Sequence, residues 1–194
     1  MRKQIMFGQY RLMDVCMFTL ILCISETLIV FASNVWFRDQ LYTLSLTAAV
    51  SALVMIRWGL LSAVPAVAGA WVMCLFSGAD AAQYLVYGAG NLAFLLLYPI
   101  FVRGGRWKRV RGDVLLCMLY GALCAVFMQA GRAGAALLAG NPLSVCAGFF
   151  LTDSLSAVFA VLIVWIARRL DGMLEDQKHY LFRIQKEVQD KKGE

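Results

Sequence analysis

Charged residues are scarce in this sequence, and their scarcity limits the folds that it can adopt. Only 15% of the 194 residues are charged, and 61% are hydrophobic. An ordinary soluble domain is about half apolar and about a quarter charged, and one domain of this size cannot bury so much additional apolar surface. The composition therefore excludes an ordinary soluble domain and predicts a protein embedded in a lipid bilayer.

Catalytic motifs are missing as well. The sequence has one histidine, His179, and contains no GxSxG, no HExxH and no glycine loop of the kind that cradles phosphates. Without a Walker A motif the chain cannot power transport by itself, and no set of repeated carbonyl loops indicates an ion-channel filter. We therefore expect no enzymatic activity, no catalytic residue and no cofactor.

Paired cysteines are also absent. The six cysteines lie within apolar segments or at their edges, and no two of them form a CxxC motif. A buried cysteine without such a partner is commonly a small hydrophobic residue. The sequence therefore predicts neither a disulfide nor a metal site.

Long apolar segments are what the sequence has in abundance. About 20 apolar residues cross the hydrocarbon core of a bilayer as a helix. The segments that meet or approach this length are residues 12–33, 41–56, 58–79, 81–102, 114–131 and 146–167. The first and last are interrupted only by Asp14, Glu26 and Asp153. The pattern predicts an all-α polytopic membrane domain of six transmembrane helices over residues 1–169.

The basic residues predict the orientation of this domain. If the N-terminus is cytoplasmic, all but two of the 18 lysines and arginines, Arg38 and Arg132, fall on the cytoplasmic side, as the positive-inside rule requires. Both termini are then cytoplasmic. The membrane topology explains the excess of basic over acidic residues, so we expect no nucleic-acid partner. An anion-binding role for "RGGRWKRVRGD", residues 103–113, is the alternative for the main basic cluster.

The C-terminal 25 residues, 170–194, differ from the rest. Apolar residues recur at spacings of three and four on a charged background, at Leu170, Leu174, Leu181, Ile184 and Val188. This spacing is typical of an amphipathic helix, and it predicts a charged cytoplasmic helical tail. Such a tail can lie on the inner leaflet, extend the last transmembrane helix or dock on a partner, and the sequence does not choose among these.

Polar residues of the apolar segments are concentrated in the predicted outer half of the bundle. An ionised carboxylate facing lipid costs several kcal/mol, so such side chains should face the bundle interior or water. The stretch "QYLVYGAGN" places four of them on the fourth helix, and Arg132 lies just beyond the fifth. The full set of candidate binding residues is Glu26, Gln83, Tyr84, Tyr87, Asn91, Gln129, Arg132 and Asp153.

This arrangement predicts a cavity that opens to the outside and is closed below. Small-molecule sites combine aromatic walls with a few polar anchors, and Tyr84, Tyr87, Phe149 and Phe150 would supply the aromatic part. Two carboxylates beside aromatic faces suit a ligand with a positive or amine-bearing ring, with Arg132 as gate or counter-ion. In the alternative interpretation, the polar side chains only hold neighbouring helices together through hydrogen bonds.

The stretch "MIRWGLLSAVPAVAGAWVMCLFSGADAAQYLVYGAGN", residues 55–91, and the segment "RRLDGMLEDQKHYLFR", residues 168–183, resemble S-component-like proteins of Gram-positive bacteria. S components are the substrate-binding subunits of energy-coupling factor (ECF) transporters. The resemblance implies a protein of the bacterial cytoplasmic membrane that captures a vitamin or similar micronutrient from outside. It also implies association with a transmembrane scaffold subunit and two cytoplasmic ATPases, which alone use ATP.

A rival hypothesis comes from a different class of protein. Small structural membrane proteins of the MreD-like kind also have several short transmembrane helices and do not transport a substrate. In that case the amphipathic tail would carry the function, and the buried polar residues would serve only to hold the helices together.

Overall fold

The computed structural model describes residues 7–36, 42–177 and 180–181, and within these ranges it is helical, with 84% helix and no strand. The eight α-helices of the described residues are α1 (Phe7–Trp36), α2 (Thr47–Trp58), α3 (Ala63–Phe76), α4 (Ala81–Asn91), α5 (Trp107–Gly112), α6 (Val114–Leu138), α7 (Leu143–Thr152) and α8 (Ser154–Ala167). Gly59–Ser62 and Leu92–Leu97 form 3₁₀ turns, and Pro99–Arg103 forms a π turn.

Several of these helices are long and apolar enough to cross a membrane. Four helical segments qualify by length and composition, and the α7–α8 pair, bent by 40°, adds a fifth if it is counted as one span. The surface of the bundle carries large exposed apolar side chains, such as Leu20, Phe31 and Leu115. The prediction of an all-α fold with several helices able to span a membrane is confirmed in this form, and the number of six spans stays a prediction.

The segment from Thr47 to Phe76 is a helical hairpin. Gly59 has φ of 64° and ψ of −126° and reverses the chain direction between α2 and α3. As a result Gly69 lies against the start of α2, where a Cβ built on it would be 2.5 Å from Thr47 Oγ1. In one straight helix, residues so far apart in sequence would be separated by about 33 Å. The segment Thr47–Phe76 therefore forms two antiparallel helices, α2 and α3.

The long helix α6 lies at the centre of the bundle and packs against α2, α4, α7 and α8. Its buried face includes Cys117, Tyr120 and Cys124, which join one continuous apolar core with residues such as Phe94 and Val164. The Tyr120 hydroxyl is buried in this core and donates a hydrogen bond of 2.7 Å to the Ala52 carbonyl oxygen. The core thus holds α2, α6 and α8 together.

The two ends of the bundle differ in charge. One end, which we call the basic end, carries Arg57, the 103–111 cluster, Arg168 and Arg169. The opposite end, which we call the far end, contains the connections from α3 to α4 and from α6 to α7. Contacts such as the Arg57–Asp14 ion pair at 2.9 Å place the beginning of α1 at the basic end.

Glycines let α4 and α6 approach until their backbones touch. A Cβ on Gly90 would be 2.6 Å from the Arg132 backbone, and a Cβ on Gly131 would overlap the Gly90 carbonyl oxygen. Glycine is the residue that permits such an approach. Gly90 and Gly131 therefore allow the backbones of α4 and α6 to pack directly against each other.

We expect Gly131→Ala to destabilise the bundle. The added methyl group has no room at the α4–α6 crossing, and overpacking of this kind costs about 1–3 kcal/mol. Gly134→Ala is the matched control, because a Cβ at Gly134 meets nothing within 4 Å. Thermal melts in detergent should show a lower midpoint for Gly131→Ala than for wild type and no loss for Gly134→Ala. Equal midpoints for the two variants would contradict the crossing.

Two helix boundaries differ from the sequence prediction. Helix α6 continues through Leu138, so Arg132 lies within the helix and does not follow it. The last apolar segment is broken at Asp153, which separates α7 from α8. The break contains neither proline nor glycine, and the side chain of Asp153 is held by the neighbouring segments described below.

The first residues of the predicted tail also differ from expectation. Residues 168–175 form turns and bends, and the chain is helical again at Gln177. Leu174 and Gln177 are buried, with Leu174 in the apolar core. This segment closes the basic end and is not a free amphipathic helix. Arg38, His179, Ile184 and Val188, which entered the sequence predictions, lie outside the described residues.

Candidate functional site

Five of the predicted binding residues form one buried group towards the far end of the bundle. We call this group the polar cluster, and its members are Glu26, Asn91, Gln129, Arg132 and Asp153. Each is at most 4% exposed. Buried charges in an apolar bundle need partners, and the hydrogen bonds of the cluster show where these partners are.

Arg132 is the centre of the polar cluster. Its Nη1 donates to Asp153 Oδ2 at 2.8 Å, and its Nε donates to Asn91 Oδ1 at 2.7 Å. The Asn91 Nδ2 in turn donates to the Ala66 carbonyl oxygen at 3.0 Å. The guanidinium also lies over the Tyr87 ring, 5.2 Å from its centroid. One side chain of α6 thereby connects α3, α4 and the α7–α8 break.

Asp153 connects the break to the chain that precedes α2. Its second oxygen, Oδ1, accepts hydrogen bonds from the hydroxyls of Ser156 and Thr43. The Thr43 N–H donates to the Thr152 carbonyl oxygen at 2.9 Å, and Gln129 Nε2 donates to the Asp153 carbonyl oxygen at 3.0 Å. The Asp153 carboxylate is therefore shared between Arg132 and two hydroxyls.

Glu26 caps helix α2 from a neighbouring helix. Its Oε1 accepts from the Leu46 and Thr47 N–H groups at 2.8 and 3.1 Å, and from the Ser45 and Thr47 hydroxyls at 2.7 and 3.0 Å. The first N–H groups of a helix lack partners within the helix and favour a negative charge. This explains how a fully buried carboxylate is held in α1. The Ser45 N–H also donates to Ser156 Oγ at 2.8 Å, which links Glu26 to Asp153.

A cavity of about 340 Å³ lies between α4 and α7 at the far end, and we call it the α4–α7 cavity. Tyr87 and Phe149 form an aromatic corner on its wall, with ring centroids 5.7 Å apart and planes at 78°. Since Tyr87 also contacts Arg132, the polar cluster adjoins the cavity at Arg132. The polar side chains on the wall are Asp80, Gln83, Tyr87, Asn141 and Thr152.

The structure therefore divides the predicted site residues into two groups. Gln83 and Tyr87 are on the cavity wall. The five members of the polar cluster are buried, are not on this wall, and are bonded to one another or to the neighbouring helices. Tyr84 is half-buried and is not on the wall. The carboxylates of Glu26 and Asp153 are not on the wall of this cavity. Both oxygens of Asp153 accept hydrogen bonds, whereas only Oε1 of Glu26 does so and its Oε2 is buried without a partner among the described residues.

Asp80 is a wall residue that the sequence reasoning missed. It is the N-cap of α4: its Oδ1 accepts from the Gln83 N–H at 2.8 Å, while Gln83 Oε1 accepts from the Asp80 N–H at 3.1 Å. This reciprocal arrangement is a capping box. The spacing of an aspartate and a glutamine three residues later, ahead of an apolar run, is the signal that would have indicated it.

A second buried ion pair at the basic end was also missed. Arg57 donates from Nε and Nη2 to the two carboxylate oxygens of Asp14, at 2.9 and 3.0 Å, and Trp58 Nε1 donates to Asp14 Oδ2 at 2.5 Å. Arg57 Nη1 donates to the Gly172 carbonyl oxygen at 2.5 Å. The pair ties α1 and the α2–α3 turn to the 168–176 segment, and nothing in the sequence spacing connects these residues.

A second cavity of about 380 Å³ lies at the far end between α1, α3 and the chain before α2. Its wall is mainly apolar, with Val30, Leu44, Met73 and Leu155, and it has no charged residue among those described. It contains none of the eight predicted binding residues. The α4–α7 cavity is the stronger candidate, since it combines the predicted residues with aromatic and polar side chains.

Comparisons with protein-family models, with curated proteins and with solved structures find no match to this chain. The class of the protein is therefore defined by its own fold and site. It is an all-helical protein with several helices able to span a membrane, a buried ion-paired polar cluster, and a small cavity that adjoins that cluster.

Proposed function

We propose that this protein is the membrane-embedded substrate-binding subunit of an ECF-type importer. In this proposal it captures a vitamin or similar micronutrient in the α4–α7 cavity and delivers it together with a scaffold subunit and two ATPases. The observation that carries the proposal is the cavity itself. It is a small-molecule-sized space with an aromatic corner, and it adjoins the polar cluster at Arg132.

The proposed topology is six transmembrane segments with both termini cytoplasmic. The α2–α3 hairpin counts as two crossings and the bent α7–α8 pair as one, which together with α1, the α4 segment and α6 gives six. Arg57, the 103–111 cluster, Arg168 and Arg169 share one end of the bundle. By the positive-inside rule this end faces the cytoplasm, so the cavity at the far end faces outside.

The size and lining of the cavity suit a compact ligand. Its volume of about 340 Å³ is at the lower end of the range of about 300–1,000 Å³ that is usual for small-molecule sites. Tyr87 and Phe149 offer ring faces and edges, and Gln83 and Asn141 offer amide groups on the same wall. A ligand with a flat ring and a few hydrogen-bonding groups fits this combination.

In the proposed mechanism the polar cluster positions the wall without touching the ligand. Ionisable residues at membrane depth are costly and tend to mark functional positions. Here the Arg132–Asp153 pair holds α4, α6 and the α7–α8 break in one arrangement, and the Arg132 guanidinium contacts the Tyr87 ring. The cluster therefore fixes the shape of the cavity wall.

An MreD-like structural scaffold is the second candidate. The observation in its favour is that Arg132, Asp153 and Asn91 are bonded to helices, as interhelical contacts would be. A scaffold has no use for the cavity, so a variant that fills the cavity should be silent in that case.

The test of the proposed function is to fill the cavity without disturbing the fold. Gly148 lies on the wall, and a Cβ built on it meets nothing within 4 Å, so the side chain of Gly148→Leu enters the cavity. Gly134→Leu is the matched control, because its Cβ is equally unobstructed and Gly134 is not on this wall. The measurement is a thermal-shift screen of detergent-purified protein against a panel of vitamins.

We expect one compound to stabilise wild type and Gly134→Leu and to have no effect on Gly148→Leu. A ligand at 100 times its Kd stabilises a protein by about 2.7 kcal/mol, which gives a shift of several degrees. An equal shift in Gly148→Leu would exclude the α4–α7 cavity as the site. If no compound raises the melting temperature of wild type, and truncation of residues 182–194 abolishes capture of a cytoplasmic partner, the scaffold function replaces the proposal.

A further inference from the structure

The α4–α7 cavity carries a single charge on its wall among the described residues, and this charge is negative. Asp80 lies there, and the wall has no lysine, arginine or histidine. Asp80 Oδ1 is engaged with the Gln83 N–H. Its second oxygen, Oδ2, has no hydrogen-bond partner among the described residues, and the side chain is exposed. A carboxylate oxygen is therefore available to a molecule in the cavity.

We propose, on the basis of the proposed function, that this cavity selects a small planar cation, an aromatic ring bearing an amine or amidine, and that Asp80 is the residue that determines the selection. The charge on the wall, the aromatic corner and the neutralised arginine beside it support the inference independently of each other.

Arg132 does not supply a positive charge to the cavity. It is 4% exposed, and its guanidinium is bonded to Asp153 Oδ2 and Asn91 Oδ1 at 2.8 and 2.7 Å. The Tyr87 ring lies over it. Arg132 is not among the residues that line the cavity, and its charge is balanced by that of Asp153. An anionic ligand on the wall therefore has no unbalanced cationic side chain to bind.

The N-terminus of α4 is the one feature here that favours an anion. The first turn of a helix carries a partial positive charge of about half a unit. Asp80 and Gln83 close this turn through the capping box, so the full negative charge of Asp80 outweighs the partial charge of the helix. Replacing Asp80 by a neutral cap should therefore remove the preference for cations, because the helix dipole remains.

The aromatic corner adds to the same selectivity. Aromatic faces attract cations through the ring quadrupole, with Arg or a ligand cation about 6 Å or less from the ring centroid. Arg132 already occupies one side of Tyr87, while Phe149 lies on the wall with its ring plane at 78° to that of Tyr87. A flat cationic ring between Phe149 and Asp80 can meet a ring face and a carboxylate together.

Asp80→Asn tests the inference with little cost to the fold. Asparagine is as good an N-cap as aspartate, so the variant removes the charge and keeps the cap. Asp113→Asn is the matched control, because Asp113 is also an N-cap, accepting from the Leu115 N–H at 2.9 Å, and lies at the basic end. The probes are benzamidine, benzamide and benzoate, which share one ring and carry charges of +1, 0 and −1 at neutral pH.

Isothermal titration of the full chain in detergent should rank benzamidine above benzamide and benzamide above benzoate for wild type and Asp113→Asn. In Asp80→Asn the benzamidine affinity should fall about fivefold, the size expected for a partly solvated charge pair, with benzamide unchanged. An unchanged benzamidine affinity in Asp80→Asn, or a preference for benzoate in wild type, would overturn the inference.

The outcomes also separate this inference from the proposed function. If the three probes bind wild type equally and Gly148→Leu abolishes their binding, the cavity is a binding site and the charge selection is wrong. If no probe binds wild type and no vitamin shifts its melting, the cavity is not a ligand site, and both proposals fall.

Discussion

Glu26→Ala is expected to lower the free energy of unfolding by at least about 2 kcal/mol. The alanine leaves the Leu46 N–H and the Thr47 hydroxyl without their acceptor, whereas the Thr47 N–H and the Ser45 hydroxyl keep a second acceptor each. Each buried donor without a partner costs about 1–3 kcal/mol. Equilibrium unfolding in mixed detergent micelles measures this change.

Glu26→Gln is the informative companion to Glu26→Ala. The amide retains an oxygen that can accept from the same donors, so it should lose less than half as much stability as the alanine variant. The difference in stability between the two variants measures what the acceptor oxygen at the start of α2 contributes, because glutamine keeps the size of the side chain. If Glu26→Ala has the same free energy of unfolding as wild type, or if the two variants lose equal stability, the carboxylate does not cap α2.

The Arg132–Asp153 pair should show a large coupling free energy in a double-mutant cycle. Both groups are buried, at 5% side-chain exposure each, and removing one partner of such a pair costs about 3–5 kcal/mol because the other charge is left buried and unpaired. Arg132→Met and Asp153→Asn should each cost this much. The double variant should cost clearly less than their sum, with a coupling of about 2 kcal/mol or more.

The exposed pair Arg111–Asp171 provides the control for this cycle. Its charged atoms are also 2.8 Å apart, but Asp171 is 63% exposed, and exposed pairs couple by about 1 kcal/mol or less. Unfolding measurements on both cycles under the same conditions give the comparison. A coupling for Arg132–Asp153 no larger than for Arg111–Asp171 would show that the polar cluster does not hold the helices together.

The sequence predicted the depth of the buried polar residues but not their partners. Glu26, Asn91 and Asp153 had to face the interior, since lipid does not tolerate them, and this inference needs only the position of each residue along its helix. Which side chains meet depends on the rotation of each helix about its axis. Short apolar helices leave that rotation open, so the pairing of Arg132 with Asp153 could not be derived.

The prediction for the four polar residues of "QYLVYGAGN" was limited for the same reason. Gln83, Tyr84, Tyr87 and Asn91 were all taken as one wall, yet Gln83 caps the helix, Tyr87 lines the cavity and Asn91 bonds to Arg132. Tyr84 and Tyr87 are three residues apart, so their side chains leave α4 in similar directions. A small rotation of α4 about its axis decides which of them faces the cavity. The capping role of Gln83 was predictable, because it follows from local spacing to Asp80.

Two features of the fold left no local signal at all. The break at Asp153 has neither proline nor glycine. Its aspartate is held by hydrogen bonds from Arg132 and Thr43, which are distant in sequence, and from Ser156 in the next turn. The contact of Gly90 with Gly131 likewise requires two helices to cross at these positions. The φ of Gly59, in contrast, is of a kind that glycine commonly adopts, and the charge at Arg57 had already marked a boundary between segments.

Native mass spectrometry of the protein released from detergent micelles measures most directly whether the α4–α7 cavity holds a ligand. We predict a single bound small molecule in a fraction of wild-type and Gly134→Leu protein purified from cells, and none in Gly148→Leu. A bare mass for wild type after growth in rich medium, or the same adduct on Gly148→Leu, would contradict a substrate-binding function for this cavity.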